Sequence, residues 1–171
     1  IVSLVVRGTF GYSFATWRFH LRGETIRGPH NIGWMRDLSV ARMMRKDVRT
    51  LPEDTTIGQA RIRVPLGTTK EVMLTDADGR YTGTVLVGDM HAAEADPTEP
   101  IARIAHLQKA YLTPRATVKD ALDMFAAEEA DVLAVVTDET NRRVIGRLSE
   151  AHALRRYGEE LEKRNRAFVE R

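Results

Sequence analysis

Chemistry in a protein needs nucleophiles, metal ligands, paired acids and bases, or a cradle for phosphate. This chain of 171 residues offers few of them. Its histidines are His20, His30, His91, His106 and His152, and none stands at a metal-ligand spacing from another. There is no cysteine, which removes a thiol nucleophile, a disulfide scaffold and zinc held on sulfur. Glu128-Glu129 closes a helical pattern and reads as a solvated helix end. Gly79 follows Asp78 in a hairpin signal and Gly83 lies in a strand pattern, so neither belongs to a phosphate-binding loop. What remains is polar groups at junctions: Thr68, Thr69 and Lys70 ahead of one strand, and Asp89, Ser149 and His152 where strands give way to helices. Helix capping by itself accounts for Asp89 and Ser149, a solvent-facing helix position for His152, and a polar loop for residues 68–70. The sequence does not read as an enzyme.

The elements that hold these residues come twice. Thr56-Ile57-Gly58-Gln59-Ala60 matches Thr117-Val118-Lys119-Asp120-Ala121, preceded by Pro52 and Pro114. Val72 to Asp76 matches Leu133 to Asp138, and Gly83 to Val87 matches the stretch from Gly146. The offset grows from 61 through 62 to 63 along the chain. Each copy predicts a helix capped by threonine, a strand, a turn, a second strand and a second helix, with a short strand in front. In copy two Val118, Ala121, Leu122, Phe125 and Ala126 recur at helical spacing. Leu38 to Met44 predicts a short leading helix, residues 92–100 a linker, and residues 150–171 a long charged helix with a stripe of Ala151, Leu154, Tyr157 and Leu161. The fold class is α/β (α+β), two helix–strand–strand–helix repeats packed about a pseudo-twofold.

Charge is unevenly laid out. Residues 1–50 carry a net +6, residues 51–140 a net −8 and residues 141–171 a net +4. The chain begins at Ile1 rather than Met and reads as part of a longer one. Ile1 to Val6 is nearly all apolar, Phe10 to Phe19 is aromatic-rich, and Arg18, Arg22, Arg27 and Arg36 follow. An apolar stretch closing in aromatics and then arginines suits a cytoplasmic membrane exit. It suits equally an amphipathic helix packed on the domain, and it falls short of the ~20 apolar residues of a full span.

The duplicated unit, led by a Val-x-x-Met-Met helix, resembles a tandem CBS-domain pair over residues 38–158. Such pairs sense adenine nucleotides or S-adenosylmethionine in clefts between their repeats. Leu66 to Val72, Gly79 to Gly83, and Val144 to Gly146 through Ala151 to Tyr157 resemble the pair fused to bacterial ClC chloride channels and chloride/proton antiporters. Gly11-Tyr12-Ser13-Phe14-Ala15-Thr16-Trp17 is similar to that family's last membrane helix. The resemblance implies that Tyr12 helps coordinate chloride together with an upstream pore. It implies the end of a transmembrane helix at 1–22, a juxtamembrane linker at 23–37 near membrane lipid, repeats at 38–95 and 110–158 joined by a linker at 96–109, and a charged extension at 159–171. It also implies a homodimer, a transmembrane chloride-transport domain as partner, and a place on the cytoplasmic side of a bacterial inner membrane. No cofactor is required; ATP, ADP or AMP is the regulatory ligand.

The family reads ribose through Thr/Ser-x-x-Asp at the last strand. Here Leu86-Val87-Gly88-Asp89 keeps the carboxylate without the hydroxyl, and Ser149-Glu150-Ala151-His152 keeps the hydroxyl with histidine for aspartate. The resemblance thus gives Thr68, Thr69, Lys70, Asp89, Ser149 and His152 as the nucleotide cleft. Two rival readings are a free-standing nucleotide sensor attached to another effector, and a nucleic-acid binder using Arg142, Arg143, Arg147, Arg155 and Arg156. Alternation of arginine with glutamate along the last helix argues against the second.

Overall fold

Two short sheets of identical topology arise because the duplicated sequence alternates threonine-capped helices with apolar strands. The computed structural model describes residues 37–169. In order these form α1 (Val40–Met43), β1 (Thr50–Pro52), α2 (Ile57–Arg63), β2 (Glu71–Thr75), β3 (Tyr81–Leu86), α3 (Val87–Met90), a 3-10 turn (Ile101–Ile104), β4 (Tyr111–Leu112), α4 (Val118–Glu128), β5 (Val132–Val136), β6 (Val144–Ser149) and α5 (Glu150–Val169). One sheet runs β1-β2-β3 and the other β4-β5-β6. In each the first pair is parallel and the second antiparallel, and the register slips at the same place, between Leu74 and Thr75 and between Val135 and Val136.

The registers refine the internal alignment. Glu71–Thr75 corresponds to Val132–Val136, 61 residues on, and Tyr81–Leu86 to Val144–Ser149, 63 residues on. The extra two residues therefore lie wholly in the second hairpin, and the expected intermediate offset of 62 is absent. The first hairpin closes tightly because Gly79 adopts φ 77° and Asp76 Oδ1 accepts from Asp78 N and Arg80 N. The longer hairpin is tied by Asp138, whose carboxylate accepts from Thr140 N, Asn141 N and the Asn141 side chain.

Each repeat is completed by the segment that precedes the other. Val40 N donates to Ala116 O and Val118 N to Leu38 O, while Arg45 and Arg147 exchange both backbone bonds at 2.8 Å. Likewise Ile101 N donates to Thr55 O, Ile57 N to Glu99 O, and Thr84 and His106 exchange both of theirs. Residues 98–106, expected as linker, thus hold a 3-10 turn whose Ile101 is fully buried in the first core with Leu51, Ile57, Val72, Leu74, Val85 and Met90. The second core buries Val40, Leu112, Val118, Phe125, Leu133, Val135 and Leu148. Met73, Tyr81, Ala134 and Val136 join the two sheets.

Two expectations shift. The first repeat's closing helix is a single turn, because Arg61 bonds the carbonyls of Met90, Ala92 and Ala95 at 2.7–2.9 Å and so holds the chain in a non-helical path. The stripe on α5 is rotated: Ala153 and Tyr157 are buried while Ala151 is exposed. That rotation follows from α5 starting directly at the end of β6, which turns Ala151 and His152 away from the core. No described helix is long and apolar enough to cross a membrane. The proposed membrane helix at 1–22, the linker up to residue 36 and Tyr12 lie outside the described residues.

Candidate functional site

The strand–helix junction at Ser149 faces the segment that crosses over from the front of the chain, and a cleft of about 230 Å3 opens between them. Arg45, Arg147, Ser149, Ala151, His152 and Arg155 line it. The junction is fixed locally: Ser149 Oγ accepts from His152 N at 3.3 Å and caps α5. Position 146 must be glycine for Arg45 to come so close, since a Cβ there would stand 2.6 Å from the Arg45 carbonyl oxygen.

The cleft carries three arginines, but their charges differ in availability. Arg147 reaches Glu71 at 2.5 Å and Asp47 at 3.1 Å, and its Nε donates to the Asp47 carbonyl at 2.9 Å. Glu71 is only 5% exposed and Arg147 is partly exposed, so this ion pair is a part-buried clasp between the repeats. Arg147 holds the Asp47 carboxyl below its usual range by hydrogen bonding. Arg155 has a distant partner, Glu159, at 4.0 Å, and Glu159 itself is closer to Arg156 at 2.8 Å. Arg45 is exposed. His152 accepts from Arg155 Nη2 at Nδ1, 2.7 Å away. Burial, then the charges of Arg155, Arg45 and Arg156, push its pKa below the ordinary 6.5, against a backbone hydrogen bond at Met43. The imidazole is therefore neutral at pH 7.

Comparisons with known proteins agree with this fold. The family model described as "CBS domain" matches residues 94–159, the second repeat and the segment that leads into it. Among solved structures, a CBS domain pair/ACT domain protein from Thermotoga maritima is 22% identical with a TM-score of 0.60, covering 72% of this chain and 99% of its own. The fold is that of a CBS-domain pair. The pair domain of a putative Mg2+ transporter from Shewanella oneidensis matches at 22% identity and TM-score 0.59, over 88% of both chains. The CBS domain of a bacterial CNNM/CorC family Mg2+ transporter in complex with ATP matches at 14% identity and TM-score 0.60, over 73% of this chain and 90% of its own. No curated protein matches in sequence.

Within this CBS pair, Ser149 and His152 meet in the cleft. Asp89 occupies the place equivalent to His152 in the other repeat, exposed in the first turn of α3, and does not line it. Thr68 and Thr69 donate their hydroxyls to the Pro65 and Glu71 carbonyls, and the Lys70 carbonyl accepts from Val87 N. These three also stand outside the cleft lining, although the next residue, Glu71, reaches its wall through Arg147. Arg45 and Arg155 are cleft residues that the motif reading missed. The counterpart of Arg45 61 residues on is His106, which pairs with the first repeat as Arg45 pairs with the second, but only the structure shows this pairing. His91 is structural: its Nε2 bonds the Val64 carbonyl at the end of α2.

Proposed function

We propose that this CBS pair is a regulatory module whose cleft at the end of β6 binds an adenine nucleotide. The observation that carries the reading is the open cleft at Ser149–His152, between the β6–α5 junction and the segment carrying Arg45, flanked by exposed arginines suited to phosphates. The similar CBS domain whose structure is in complex with ATP supports it. Binding beside Arg147, which is paired with Glu71 of the first repeat, would favour one arrangement of the repeats over another, and a connected effector would feel the change. Calorimetry of the 171-residue chain with ATP, ADP, AMP and S-adenosylmethionine tests it: heat at or below millimolar ligand is expected, and none with any of the four removes the nucleotide reading.

The finer reading is that the effector is a ClC-type chloride channel or antiporter, with a homodimer as the working unit. It rests on residues 11–17 and the matching stretches of the pair. The Mg2+-transporter relatives favour a second effector, a cation transporter. The sequence upstream of Ile1 decides: about a dozen apolar helices with chloride-coordinating motifs are expected, and a different membrane or catalytic domain overturns the ClC reading.

A further inference from the structure

The two repeats end in equivalent junctions, yet the chemistry at those junctions is opposite. Where the first repeat places the exposed carboxylate of Asp89, the second places His152. A carboxylate can accept two hydroxyl hydrogens from a diol. His152 cannot, because Nδ1 already accepts from Arg155, which leaves one ring nitrogen where a carboxylate has two oxygens. No carboxylate lines the cleft. Three cationic side chains do, and only Arg147 is closely neutralised, by Glu71 and Asp47. Arg45 is exposed, and Arg155 has its nearest carboxylate at 4.0 Å. Behind them stands the start of α5, a 20-residue helix whose first amides add positive potential. The acidic residue of that first turn, Glu150, is 8% exposed and does not line the cleft.

We infer that the cleft is an anion receptor: a phosphate group of the ligand seats between Arg45 and Arg155 against His152, at the place where a carboxylate would have read a ribose diol. The inference rests on the nucleotide reading and deepens it. Ligands are selected by phosphate charge rather than by ribose, so ATP and ADP bind, while adenosine and the cationic S-adenosylmethionine are refused. Arginine supplies the geometry, because its planar fork takes two phosphate oxygens at once.

The test is calorimetry of the 171-residue chain with inorganic pyrophosphate, ATP and adenosine, repeated with Arg45→Met, Arg155→Met and His152→Asp. Pyrophosphate is expected to bind and to compete with ATP, with adenosine at least about tenfold weaker than ATP. Each arginine variant should lose about tenfold in pyrophosphate affinity, the worth of one charge-assisted contact, with an unchanged melting temperature since both side chains are at the surface. His152→Asp should weaken pyrophosphate and strengthen adenosine. Adenosine binding as tightly as ATP, with both arginine variants indifferent, overturns the inference and leaves the nucleotide reading standing. Pyrophosphate binding that competes with ATP and is lost in both arginine variants supports the inference; ATP binding without any pyrophosphate binding overturns it and leaves the nucleotide reading standing. No binding of any ligand overturns both.

Discussion

Gly146 shows how a single missing methyl group lets two distant segments meet. Its backbone lies against the Arg45 carbonyl, which a Cβ would approach to 2.6 Å, and the atom in the way is main chain held by two hydrogen bonds to Arg147. Gly146→Ala is expected to cost about 1–3 kcal/mol by overpacking, read as a shifted urea midpoint. Gly88→Ala is the control: nothing lies within 4 Å of its added Cβ, and the midpoint should stay or rise. His152 gives a pH prediction at the same scale. Its folded pKa is below 6.5, so the unfolded chain binds the proton more readily, and stability must fall as acid is added. The contribution is intact above about pH 6.5 and is lost as pH drops below that through the lowered value. Melting curves from pH 8 to pH 5 should show a smaller loss for His152→Gln than for the natural chain. An imidazole titrating by NMR at or above 6.5 would contradict the argument. Ser149 and His152 were legible in the sequence because the repeat aligned them with Leu86 and Asp89. Arg45 was not, because it is brought to Arg147 by backbone pairing across about a hundred residues, which no local pattern records.

At the scale of elements, the repeats diverge where one side chain differs. Arg61 on α2 donates to the carbonyl of Met90, which ends α3, and to two carbonyls beyond it, whereas the residue 61 places on, Leu122, has no such donors, and α5 runs on to Val169. Removing Arg61 leaves part-buried carbonyls unsatisfied. Arg61→Leu is therefore expected to destabilise by roughly 1.5–3 kcal/mol, with hydrogen exchange quickening first in residues 90–97. The threonine-capped helix starts were legible, at Thr117 to the residue and in the first repeat to Thr55 or Thr56, while the leading helix and α3 begin two residues from the expected Leu38 and Asp89. Thr56 and Thr117 both cap, and Thr117 adds a reciprocal box with Asp120. Thr117→Ala should cost about 1 kcal/mol and Thr56→Ala less, since its single bond is 3.3 Å long. Helix ends and faces were less legible. The stripe read through Ala151 missed the buried Ala153 because alanine carries little hydrophobic signal, and the direction in which α5 leaves β6 decides which alanine faces inward.

Over the whole molecule, the exchange of leading segments makes the repeats interdependent. Val40 is fully buried in the second core although it precedes the first repeat, and Ile101 is fully buried in the first although it precedes the second. The duplication was legible because it repeats in sequence; the exchange was not, because periodicity places elements without saying which copy they complete. The Glu71–Arg147 clasp ties the same halves by a charge pair that is costly to break from one side. Neither repeat then has a complete core of its own, and the pair should unfold as one cooperative unit. Val40→Ala and Ile101→Ala each remove buried methyl groups, at about 1–4 kcal/mol. Each is expected to lower a single shared urea transition, with amide exchange in β2 and β5 accelerated equally whichever segment is altered. Were the repeats independent, Val40→Ala would loosen β5 and leave β2 protected, and Ile101→Ala would do the reverse. Equal loss in both sheets is the signature of coupled halves, and only coupled halves can pass a change at the Ser149–His152 junction to the first repeat.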